Sequence, residues 1–150
     1  MKKLLIASAF VLAATAASAL DFGVTAARDF SGADHDSVGV TVGHVYKNGV
    51  GVIAGFARDV NKSSDQDRYS LMGSYDVLKF GGSTVAVKAG GVFMANSDAA
   101  NGSAAVVGAE LTVPLTNTVA ATFDVSRQYG QDRVSQYDGN RATIGLKFKF

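Results

Sequence analysis

Four charged side chains, Lys88, Glu110, Asp124 and Lys147, stand in the middle of segments that otherwise carry small or apolar residues. Two are cations and two are anions, so the set is neutral. Placed together in an enclosed space they must pair, because an unpartnered charge out of water is costly. An internal salt-bridge cluster is therefore expected. On a soluble barrel the same four would be scattered, solvent-facing charges. A second candidate is His35-Asp36-Ser37, a base beside a hydroxyl that could activate a nucleophile. It falls in or beside a polar loop with inward parity, and no suitably spaced glutamate follows, so a polar cluster is expected and no catalytic residue is assigned. A third is the set of loop-end arginines, Arg28, Arg58, Arg68, Arg127, Arg133 and Arg141. By parity Arg28, Arg58 and Arg127 lie on the apolar face at its outer rim. There their guanidinium groups could fork onto the phosphates of an amphiphile, or snorkel to an interface.

These residues are positioned by strands. Residues 140–150 read N-R-A-T-I-G-L-K-F-K-F, with Ala142, Ile144, Leu146, Phe148 and Phe150 on one face and polar or small residues on the other. Such period-two alternation predicts a strand apolar on one side. Eight strands are predicted, near 20–28, 37–46, 50–58, 68–77, 83–93, 103–113, 117–127 and 140–150. The first is short and weak. The sixth is ambiguous, because Ala104 and Val106 make its other face apolar too. Tight turns are expected at Lys47-Asn48-Gly49, Gly81-Gly82 and Pro114 to Asn117, and longer polar loops at 29–36, 59–67, 94–102 and 128–139. Alternating short and long connections predict an all-β, eight-stranded antiparallel up-and-down transmembrane β-barrel.

The chain of 150 residues has no cysteine, which excludes a disulfide framework and thiolate metal sites. Residues 1–19 combine Lys2 and Lys3, a short apolar run and Ala17-Ser18-Ala19, the three parts of a secretory signal peptide. The barrel is then expected to occupy 20–150. Removing Lys2 and Lys3 leaves 12 basic against 13 acidic side chains, a formal charge of −1, which excludes a generic basic nucleic-acid surface. Nine of the twelve aspartates fall in the long loops, where a solvated acidic rim is expected, since no ordered calcium motif occurs. No phosphate-binding glycine motif occurs either, and no cofactor or metal is expected.

Alternation does not say which face meets water. Three features favour lipid against the apolar side. The other face is rich in Gly39, Thr41, Gly43, Ser70, Ser74, Thr84 and Thr122, small residues suited to a narrow lumen. Its mid-strand charges balance. Aromatics lie at both rims of the apolar face, with Phe22, Tyr75, Phe148 and Phe150 at the turn end and Phe56, Tyr69 and Phe93 at the loop end. His44 falls on the same face near the turns, an interfacial position.

The run Thr143-x-Gly145-x-x-Phe148-x-Phe150 resembles the C-terminal β-signal of bacterial outer-membrane barrel proteins. The whole pattern is similar to the small eight-stranded group of opacity-type proteins and the OmpA transmembrane domain. That resemblance implies export, handling by periplasmic chaperones and recognition by the barrel assembly machinery. The expected product is an outer-membrane protein of structural or interactive role, in contact with lipid and lipopolysaccharide, monomeric, its interior plugged by side chains. Short loops depart from the adhesive members. The alternatives are a lipid A-modifying enzyme, a narrow channel and a soluble periplasmic ligand-binding barrel.

Overall fold

The computed structural model describes residues 20–30, 35–60, 66–96, 101–130 and 138–150. The expected signal peptide, the middles of the four long loops and Arg133 lie outside these residues. Eight strands follow in order: β1 (Asp21–Asp29), β2 (His35–Val45), β3 (Val50–Asp59), β4 (Gln66–Phe80), β5 (Ser83–Asn96), β6 (Gly102–Pro114), β7 (Val119–Gly130) and β8 (Gly139–Lys149). Each pairs antiparallel with the next, and β1 pairs with β8, giving a closed barrel in the order β1 to β8. The closing seam runs from Asp21↔Lys149 to Asp29↔Arg141 without interruption. Closure satisfies the backbone groups that an edge strand would leave open. The first strand, weak in sequence, is held on both sides along its whole length.

The short turns have local causes. Gly81 and Gly82 both adopt positive φ (54° and 82°), the mirror-image turn whose twist suits a two-residue hairpin. At the first turn Gly49 (φ 83°) donates to Tyr46 O at 2.9 Å, and Asn48 Oδ1 accepts from Val50 N at 3.1 Å. At the third, Thr116 Oγ1 accepts from the amides of Thr118 and Val119.

Several strands outrun their expected bounds, chiefly β4 and β5. In β4 the register shifts between Asp76 and Leu78, a bulge at which Val77 is the extra residue. Beyond it parity reverses: Leu78 and Phe80 join Tyr75 on the exposed face, while Lys79 reaches back to Asp76 at 3.1 Å.

The apolar face points outward. Leu71 is 63% exposed and Val125 64%, whereas Arg68 is 4% and Asp29 3% exposed on the inside. Among the described residues a buried apolar patch lies on the inner wall, formed by Val92 and Met94 of β5 with Ala104 and Val106 of β6 and flanked by Met72 of β4. The two inward alanine and valine positions that blurred the sixth strand thus have a packing role. Small inward residues let walls approach closely. At Gly90 an added Cβ would lie 2.2 Å from Leu71 O and 2.7 Å from Met72 Cα, so only glycine fits beside β4 there.

Candidate functional site in the lumen and on the outer wall

The inward charges form three levels along the barrel. In the middle, strand alternation brings Lys88 of β5, Glu110 of β6, Asp124 of β7 and Lys147 of β8 onto one stretch of inner wall. Lys88 Nζ lies 2.7 Å from Asp124 Oδ2 and 3.0 Å from Glu110 Oε2, and Lys147 Nζ lies 2.7 Å from Glu110 Oε1. The charges alternate along a chain, Asp124–Lys88–Glu110–Lys147. Thr112 Oγ1 donates to Glu110 Oε1 at 3.3 Å. Lys88 and Asp124 are buried, at 9% and 8% exposure, so the pairing replaces water as the source of stabilisation.

The second level, at the loop end, was not grouped by the sequence reading. Asp29 is bridged by two guanidinium groups, with Arg68 Nη2 at 2.6 Å from Oδ2 and Arg141 Nη1 at 2.8 Å from Oδ1. Arg68 Nε also lies 3.4 Å from Asp59 Oδ1, and His35 Nδ1 lies 3.5 Å from Asp59 Oδ2. Asp29 and Asp59 are therefore not part of a solvated acidic rim; they are buried counter-ions. Both close a strand with inward parity, and the inward arginines of β4 and β8 are within reach. That parity was readable, but Arg68 and Asp29 meet across β2 and β3, a contact no local pattern records.

His35 opens β2, and Ser37 is buried two residues on. Arg141 Nη2 donates to Ser37 Oγ at 2.5 Å. Base and hydroxyl both face the lumen, each engaged by the charged level, so they do not meet at the lipid-facing wall as a lipid A-modifying mechanism would require. Among the described residues no group of three or more His, Asp or Glu is placed to hold a metal ion.

The third level lies at the turn end, where the inward Asp21, Asp76, Lys79 and Lys149 again comprise two acids and two bases. Among the carboxylates, lysines and arginines of each level the formal charges cancel. Between and around them runs a cavity of about 320 Å³, bordered by Thr25, Thr41, Ser70, Ser74, Thr122 and Thr143 among others. The expected plug is thus incomplete, because small side chains leave room beside the charged ones. Gln66 Oε1 and Gln128 Oε1 are buried acceptors without a partner among the described residues, the kind of group that hosts buried water.

On the outer wall the three rim arginines differ. Arg58 forks onto Asp67 at 2.6 and 2.9 Å. Arg28 lies 3.8 Å from Asp36, with both side chains about half exposed. Arg127 lies over the Tyr129 ring at 5.5 Å. Phe56 and Tyr69 pair at 5.3 Å at the loop end, and His44 meets Tyr46 edge-on at 4.5 Å near the first turn. In the terminal run, Thr143 and Gly145 face inward, and Phe148 lies opposite Phe22 across the closing seam. Gly145 has a structural reason independent of any address: a Cβ there would lie 2.7 Å from Val24 O and 2.8 Å from Thr122 Oγ1.

No protein-family model matches the chain, and no curated protein resembles it in sequence. Solved structures resemble it in fold. The N-terminal β-barrel domain of Pseudomonas aeruginosa OprF superposes with a TM-score of 0.73 at 21% identity, covering 89% of this chain and 98% of that one. Neisserial surface protein A gives 0.64 at 16% identity, over 88% and 96%. The Yersinia pestis outer membrane protein Ail in a phospholipid bilayer nanodisc gives 0.55 at 12% identity, over 88% and 99%. The fold is that of small eight-stranded outer-membrane barrels.

Proposed function

We propose that this chain is an integral outer-membrane β-barrel with a structural or interactive role in the cell envelope. It is exported with removal of residues 1–19 and inserted with its short turns toward the periplasm. Its partners in this reading are lipid and lipopolysaccharide in the mature state, and periplasmic chaperones and the barrel assembly machinery during biogenesis. Thr143, Gly145, Phe148 and Phe150 serve as the assembly signal, and Arg28, Arg58 and Arg127 meet the lipid at the outer rim. The barrel works as a monomer, without enzymatic activity.

One observation supports this reading above the rest: the wall is apolar and exposed on the outside, while the charges are paired within. A soluble ligand-carrying barrel needs the opposite sidedness. The lumen cavity favours one second reading, a narrow conduit, which would appear as discrete conductance in planar bilayers. The main reading is tested by cell fractionation followed by electrophoresis with and without boiling. It predicts recovery in the outer-membrane fraction and a mobility that changes on heating. Detergent-free recovery as a soluble protein with one mobility contradicts it.

A further inference from the structure

The lumen is not equally filled along its length. At the loop end the inward residues Asp29, Ser37, Asp59, Gln66, Met94 and Ala104 are between 1% and 6% exposed. At the turn end the inward Val45 is 39% exposed and the Lys79 side chain 65%. The cavity of about 320 Å³ reaches from Val45, Lys79 and Lys149 at that end to Arg68, Gln128 and Arg141. It is a cup, with its mouth at the turns and its floor against the ionic level of the loop end. A conduit would need both ends open.

Two unlike walls enclose the cup. On one, Ile53, Met72, Gly90, Val106 and Gln128 form an inward row across β3 to β7, each in register with the next. Its first four members offer no hydrogen-bonding side chain. Strands four places apart lie opposite in a closed barrel of eight, so β3 to β6 face β7, β8, β1 and β2. There the cup is bordered by the hydroxyls of Thr122, Thr143, Thr25 and Thr41. At the end of the apolar row Gln128 is 3% exposed, and its Oε1 has no partner among the described residues. A buried acceptor in that state calls for a donor. Lys88, Glu110, Asp124 and Lys147, by contrast, are engaged with one another.

We infer that the cup is a binding site for one small, uncharged, polyhydroxylated solute of monosaccharide size, which enters from the turn side and is not passed on. This rests on the outer-membrane reading above, which puts the turn end in the periplasm. Hydroxyl groups both donate and accept, as the facing threonines do. The C–H face of a sugar ring lies against Ile53, Met72 and Val106, where it displaces water that finds no partners. One ring hydroxyl donates to Gln128 Oε1. An ion is a poor occupant, because the mid-lumen charges already neutralise one another. It would shed its water and gain no free counter-charge. The volume lies at the lower end of ligand pockets and leaves room for one ring. So small a ligand binds weakly, near the millimolar range.

The test uses the folded barrel in phosphocholine micelles, a detergent without a sugar headgroup, and saturation-transfer NMR of glucose, galactose, protonated glucosamine and glucuronate. Saturable transfer to the ring protons of glucose or galactose is expected, with the two charged sugars weaker by roughly tenfold. Gln128→Leu should weaken binding about fivefold, the loss of one hydrogen bond. Val106→Phe, which fills the cup, should abolish it, and Leu71→Phe on the outer wall should leave it unchanged. Heat-dependent mobility checks that each variant is folded. Proteoliposomes in isosmotic glucose should not swell. Swelling, charged sugars bound as well as neutral ones, unchanged binding in folded Gln128→Leu or Val106→Phe, or equal loss in Leu71→Phe overturns the site. A heat-modifiable wild-type barrel with no transfer to either neutral sugar holds water only and overturns this inference alone. A wild-type chain that stays soluble without detergent and shows one mobility overturns the outer-membrane reading instead.

Discussion

At the scale of single residues, the lumen is governed by pairing. Lys88 holds two carboxylates, but they depend on it unequally. Glu110 has a second cation in Lys147 at 2.7 Å, whereas Lys88 is the cation 2.7 Å from Asp124. Lys88→Met should therefore strand the buried Asp124 carboxylate and cost about 3–5 kcal/mol, the range for breaking a buried pair from one side. Adding Asp124→Leu should recover most of that loss, since the surviving Glu110–Lys147 pair is neutral. Denaturant titration of the refolded barrel, followed by its electrophoretic mobility, measures both. A double variant less stable than the single one would show that the chain of charges does not act as pairs. Parity alone put Lys88, Glu110, Asp124 and Lys147 on one face of their strands. It did not reveal their order of contact, which depends on register, nor that Asp29 lies between Arg68 and Arg141. Asp29 fell in an expected loop, 29–36, while Arg68 and Arg141 stood at the start of expected strands, and the contact from β4 to β1 depends on barrel curvature.

At the scale of the strands, neighbouring glycines in β5 separate wall packing from outer surface. Gly90 points inward against the backbone of β4, while a Cβ at Gly91 would find its nearest neighbour, Ala104 O, at 3.9 Å. Gly90→Ala should force β4 and β5 apart and destabilise the barrel by about 1–3 kcal/mol. Gly91→Ala should change stability by no more than about 0.5 kcal/mol. The same denaturant titration distinguishes them, and equal effects would remove close approach as the reason for glycine at 90. Strand number, direction and facing were legible because alternation persists over nine or more residues and turn residues punctuate it. The β4 bulge was not, although Val77-Leu78 breaks the alternation: two adjacent apolar residues fit a strand end as readily as a bulge. The run past it to Phe80 is held by the Gly81-Gly82 turn, which fixes where β4 stops.

At the scale of the whole molecule, three devices share the perimeter. The loop-end level ties β8, β1, β2, β3 and β4 through Arg141, Asp29, Ser37, Asp59 and Arg68. The apolar patch joins β4, β5 and β6. The middle level joins β5, β6, β7 and β8. Every strand is thus held from within, which leaves the outer wall free of structural polar demands and able to face hydrocarbon. The account stands or falls on that sidedness. The chain has no cysteine, so single cysteines can report it without background. Val125→Cys and Ile144→Cys, each carrying an environment-sensitive fluorophore, should be quenched by lipids brominated at mid-chain and shielded from iodide in the water phase, once the barrel is in vesicles. Quenching by iodide with no effect of the brominated lipids would place the belt in water and contradict the account.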